Sequence, residues 1–105
     1  MLRIHDVMLD TLRLISPLIG DIERRNRALG AQITASATSV LLNIAEGSGH
    51  RGAARANRYR IALGEAREAL STLRAAEALG YVRALDAGVV ARFNRVIATL
   101  VVVTR

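Results

Sequence analysis

Three sets of residues in this 105-residue chain have types and spacings suited to chemistry: a glycine-rich run, a group of glutamates and a group of arginines. Gly47-Ser48-Gly49-His50-Arg51-Gly52 spells GxGxxG. Such glycines bring backbone amides onto a pyrophosphate only where the run follows a β-strand and opens a helix. Here it follows a helical pattern, so it reads as an interhelix turn. The lesser alternative is a phosphate site at the start of the next helix, where free amides, His50 and Arg51 would converge.

Glu46, Glu65, Glu68 and Glu77 raise the idea of a carboxylate di-metal centre, which requires inward Glu-x-x-His pairs on two helices. His5 has no glutamate three residues before it, and His50 falls four residues after Glu46, beyond the expected helix end. Neither metal nor cofactor is therefore expected. Ser36, Ser39 and Ser71 have no histidine at a reachable helical spacing, which leaves no nucleophile–base pair. The absence of cysteine excludes thiolate metal sites, disulfides and a cysteine nucleophile. The expectation is a protein that is not an enzyme.

The arginines carry the functional lead. All 15 basic residues are arginine, against 9 acids, for a net charge of +6. Such an excess favours phosphate backbones through an attraction that salt weakens. Arg51, Arg55 and Arg58 share one helical stripe; Arg60, Arg67 and Arg74 share another. No acid lies between Gly47 and Gly64 to offset Arg51, Arg55, Arg58 and Arg60. Arg24, Arg25 and Arg27 flank the first interhelix turn, at the opposite end of an up-down bundle. With Tyr59, Tyr81 and Phe93 as the only aromatics, base stacking contributes little. RNA or DNA would be held by its phosphates, with tolerance of sequence. The competing role for these arginines is salt bridging between subunits.

The elements that must position these groups are helical, because the apolar residues recur every three or four positions. Met8, Leu12, Ile15, Ile19 and Ile22 form one stripe of a helix from Arg3 to Arg25. Pro17 inside it removes the amide bond to the Arg13 carbonyl. A kink is favoured there, because the stripe keeps phase, over a second helical piece capped by Ser16. Asn26 is the expected N-cap of a helix from Arg27 to Glu46, with Leu29, Ile33, Ala37, Val40, Leu41 and Ile44 apolar. Beside them runs a polar line: Gln32, Ser36, Ser39, Asn43, Glu46. No charge falls between Ala28 and Ala45, which favours a buried hydrogen-bonding seam over a solvent face. Glu46 and Glu68 are the expected charged members of that network.

A third helix spans Ala53 to Leu79, with Ala56, Tyr59, Leu63, Ala66, Leu70 and Leu73 apolar. Ala62, Ala69 and Ala76 make a second line, and Gly80 is the expected left-handed cap. The last helix, from Leu85 or Asp86 to Thr104, carries Val89, Phe93, Val96, Leu100 and Val103. Residues 1–105 thus read as one all-α domain, an antiparallel up-down four-helix bundle with left-handed crossings. Leu9, Leu14, Leu18, Val90, Ile97 and Val101 fall outside the stripes. One small core cannot hide them, which predicts self-association into a homo-oligomer. Charges near the N-terminus argue against a signal peptide, and Val96 to Val103 is well short of the ~20 residues of a membrane span. A cytoplasmic location without a membrane partner is expected.

Gln32, Ser39 and Asn43-Ile44-Ala45-Glu46-Gly47 resemble the Q…S…NIAEG signature of the bacterial four-helix-bundle proteins first noticed as products of ribosomal RNA intervening sequences. Ala62-Leu63-Gly64, Glu68, Leu73, Ala76 and Leu79-Gly80-Tyr81 continue the similarity, which covers Ile4 to Tyr81 and extends more weakly through the last helix. Glu65 departs from it, since a serine usually follows that glycine. The resemblance implies an up-down bundle assembled as a homopentameric ring. It also implies kinship with the accessory variability proteins of diversity-generating retroelements, basic bundles that bind nucleic acid and a reverse transcriptase. It assigns no catalytic role to Asn43, Glu46 or Glu68.

Overall fold

A computed structural model of the chain describes residues 2–105. Four helices follow in order: α1 (Ile4–Arg25), α2 (Arg27–Ser48), α3 (Gly52–Ala78) and α4 (Ala87–Val103), with no strand among the described residues. Each packs on its neighbour in sequence and α1 also packs on α4, which closes a four-helix bundle. A single residue, Asn26, separates α1 from α2, so the chain must reverse direction there. The molecule measures 42 × 24 × 20 Å, its long axis matching the ~40 Å of the 27-residue α3.

Side-chain chemistry at the helix ends accounts for the boundaries. Asn26 is extended and its Oδ1 accepts from the Leu29 amide at 3.0 Å, which starts α2 as its sequence predicts. Asp86 does the same for α4, accepting from the Gly88 amide at 2.6 Å. Gly80 adopts φ +76°, and the Gly80 and Tyr81 amides donate to the Glu77 and Ala76 carbonyls at 3.0 and 2.9 Å. That pattern is a Schellman motif, and it stops α3 where the glycine predicts. α1 runs unbroken through Pro17, so the second helical piece capped by Ser16 does not form.

The core follows most of the expected stripes on α1, α2 and α4: Met8, Ile15 and Ile22; Ile33, Ala37, Val40 and Ile44; Val89, Phe93, Val96 and Leu100. Val103, the last member expected on α4, is exposed at the helix end. On α3 the buried face is turned from the leucines toward the alanines. Ala62, Ala66, Ala69, Ala76, Tyr59 and Leu73 are buried, while Leu63 and Leu70 are only partly covered. Alanine leaves room for a neighbouring helix to come close, and the larger leucines then fit at the flanks. Thr11, Ser36 and Thr72 are buried, and each hydroxyl donates to a carbonyl one turn back in its own helix.

α2 is the one described helix long and apolar enough to cross a membrane by length and composition. The same residues also form the packing face against α1 and α3. Of the apolar residues expected outside the stripes, Leu14 is 45% exposed, while Leu9, Leu18, Val90, Ile97 and Val101 are half-buried. Leu42 (64% exposed), Leu79 (60%) and Val102 (57%) leave apolar surface at other positions.

Candidate nucleic-acid interface

The arginines expected to meet phosphate lie at two ends of the bundle and along one outer ridge. At the first end, Arg24, Arg25 and Arg27 flank Asn26, and all three are exposed. Arg24 is paired with Asp21, one turn back in α1. Arg25 and Arg27 have no acid within ion-pair distance among the described residues. The other turn lies the length of α2 away, so the two clusters cannot share one compact ligand.

At that second turn, α2 runs on through Gly47 to Ser48, and Gly52 opens α3 with φ +57°. The GxGxxG run is therefore an interhelix turn whose first glycine lies inside a helix. Tyr59, one end of its ring over Gly47, is 5% exposed. Arg55 donates from Nε to the His50 carbonyl at 2.8 Å, and Arg58 donates from Nη1 to Oδ1 of Asn43 at 3.4 Å. Those two guanidiniums are partly committed to holding the turn. Arg51 is exposed and unpaired by any described acid.

Arg60 stands apart from Arg51, Arg55 and Arg58. It shares the outward ridge of α3 with Arg67 and Arg74, all three exposed. Seven residues separate successive members, so they repeat about every 10.5 Å along the helix. Gly64 and Ser71 lie between them and are small, which leaves the guanidiniums standing proud. Arg67 and Arg74 add exposed positive charge beyond the residues flanking the turns; their signal is the heptad spacing.

The polar line of α2 is arranged differently from a buried seam. Ser36 alone is buried; Ser39 and Asn43 are half-buried; Gln32 and Glu46 are exposed, as is Glu68 on α3. Asn43 donates from Nδ2 to the Ser39 carbonyl and hydroxyl at 2.9 and 3.0 Å. Glu46 meets His50 at 3.3 Å, four residues on, and not Asn43 or Gln32. Within one chain, then, the network is a short Ser39–Asn43–Arg58 bridge between α2 and α3. Glu68 belongs to no such bridge. Its charge acts instead on Glu65, whose carboxyl is pushed up by burial first and by Glu68 second. Among the described residues no three His, Asp or Glu side chains group as metal ligands would.

With four helices, no strand among the described residues and a basic outer ridge, the chain falls in a class of small helical bundles. Residues 10–98 match the 23S rRNA-intervening sequence protein family, and the chain belongs to it. It is also similar to a crystal structure of a protein with unknown function from the S23 ribosomal protein family of Bacteroides thetaiotaomicron VPI-5482. The two superpose with a TM-score of 0.81 over 97% of this chain and 98% of that one, at 21% sequence identity. No protein of curated function matches.

Proposed function

We propose that this protein is a non-enzymatic, cytoplasmic accessory factor, a left-handed up-down bundle that assembles into a homo-oligomeric ring and holds RNA or DNA by its phosphates. The observation that carries the reading is the excess of exposed guanidinium over acid: only Arg13 and Arg24 sit in an ion pair with an acid among the described residues. Those two pairs leave the net charge of +6 unchanged, and exposed arginines free of acid partners stand on the α3 ridge and at the two turns. The exposed Leu42 and the uncharged outer face of α2 support self-association, which would repeat each arginine cluster around the assembly. Assembly as a pentamer, and a reverse transcriptase as partner, rest on kinship with the retroelement accessory proteins.

A titration of duplex DNA and of generic RNA at two salt concentrations tests the reading. Neutralising three duplex phosphates should weaken binding about 40-fold between roughly 50 and 200 mM salt. Absence of binding even at low salt would leave a structural or protein-interaction bundle, its arginines serving assembly.

A further inference from the structure

A hollow of about 290 Å³ opens on the α1–α4 side of the bundle, beside the segment that joins α3 to α4. Its walls are aliphatic: Leu14 and Leu18 from α1, Leu85 from the connection and Val89 from α4. Val89 is 3% exposed and forms the floor, whereas Leu14, 45% exposed, forms a lip that no part of the described chain covers. Arg83 and Arg92 line the same hollow. Asp86 lines the hollow as well; its Oδ1 accepts from the Gly88 amide at 2.6 Å, so one of its oxygens is turned to the helix end while its charge stays in the rim. No described acid lies within ion-pair distance of either arginine. Arg92 is steadied by donating from Nη1 to the Gly88 carbonyl at 3.0 Å. Gly88 leaves the necessary space: a β-carbon there would lie 2.9 Å from Asp86 Oδ1 and 3.0 Å from Arg92 Nη1.

An aliphatic hollow whose two guanidiniums outnumber its one carboxylate, and are ion-paired to none, selects for a small molecule that is greasy at one end and anionic at the other. A carboxylate suits the planar donors of arginine, and the volume lies at the small end of ligand cavities, ~300 Å³. A nucleic acid, charged all along its backbone, has no aliphatic body to fill it. The geometry points to a binding site for a free aliphatic monocarboxylate of about eight carbons, held by Arg83 and Arg92 over the Leu14–Leu18–Val89 surface. The site does not depend on the nucleic-acid reading.

Sodium octanoate titrated into the full chain by calorimetry, with amide chemical shifts followed in parallel, tests this. Saturable binding is expected with a Kd of about 10⁻⁴ M, and shifts clustered at residues 83–92 and around Leu14 and Leu18. Acetate, lacking the body, and octylamine, carrying the opposite charge, should not bind. Arg83→Gln, in an exposed connection and so harmless to the fold, should weaken octanoate at least tenfold, as should Arg92→Gln. The site is refuted by no saturable binding, by shifts elsewhere, by equal affinity for octylamine, or by an unchanged affinity in both variants. Concentration-dependent shifts at Leu14 and Leu18 without octanoate binding would mean that a second copy fills the hollow, and would refute it as well.

Discussion

The ring of Tyr59 on α3 occupies the space where a β-carbon at Gly47 of α2 would sit: an alanine there would place that carbon 2.5 Å from Cε1 and 2.7 Å from Cδ1. The glycine of the NIAEG run is thus a packing requirement. It lets α2 and α3 close on each other just before the turn that presents Arg51 and its neighbours.

Gly47→Ala should therefore destabilise the fold by about 1–3 kcal/mol, because the buried ring cannot retreat without opening the core. Gly20 offers the contrast. It lies mid-helix in α1 with nothing within 4 Å of its missing β-carbon. Gly20→Ala should stabilise by up to about 1 kcal/mol through helix propensity. Denaturant midpoints of the two variants give opposite signs if the packing is as described.

The arginines divide by task. Arg58 bridges to Asn43, so Arg58→Gln and Asn43→Ala should each lower stability, by about 1 kcal/mol for the missing partly buried bond. Arg60, Arg67 and Arg74 touch nothing by hydrogen bond or ion pair among the described residues, and glutamine at all three should leave the melting temperature unchanged. The same triple variant should lower the slope of log K against log salt by about 0.9 for each duplex phosphate it no longer neutralises. Thermal melts and salt titrations of the two sets separate the roles.

Leu42 is 64% exposed on the uncharged face of α2. In an isolated chain Leu42→Glu would change stability by no more than about 0.5 kcal/mol. In an assembly that buries this face it would place a charge against apolar neighbours and split the oligomer. Sedimentation of the variant beside the parent distinguishes the two.

Glu65 provides a pH dependence. Burial, and then the charge of Glu68, raise its folded value above the ordinary 4.5. The folded chain then holds this proton more tightly than the unfolded one, so the group's contribution is fully present below pH 4.5 and is lost as pH rises through the folded value. Glu65→Gln should be more stable than the parent at neutral pH, with the difference vanishing below pH 4.5. Melting both proteins across that range reads the sign directly.

Much of the fold is legible in the sequence because its signals are local. The apolar stripes, the Asn26 cap and the Gly80 terminator each depend on residues within a turn or two of one another. On α3 both expected lines contribute to the buried face, Tyr59, Ala66 and Leu73 from one and Ala62, Ala69 and Ala76 from the other. Leu63 and Leu70 are less buried than their hydrophobicity suggests, because close helix approach favours the smaller side chain. The polar line of α2 reads as a seam because no charge falls between Ala28 and Ala45. In the structure Ser36 satisfies itself on its own helix, and the outer members face away from the core. The arginine stripes can be read from spacing alone. The Arg58–Asn43 bridge, the Tyr59–Gly47 packing and the hollow beside Val89 join residues from different helices, and no local pattern announces them.

Self-assembly of the bundle and capture of a polyanion by its assembled arginines can be measured in one experiment. Sedimentation velocity of the micromolar protein with a labelled generic RNA, at low and then moderate salt, reads both at once. The prediction is an oligomer that carries the RNA at low salt and sheds it, still assembled, as salt rises. A well-folded monomer sedimenting separately from unshifted RNA at low salt would contradict it.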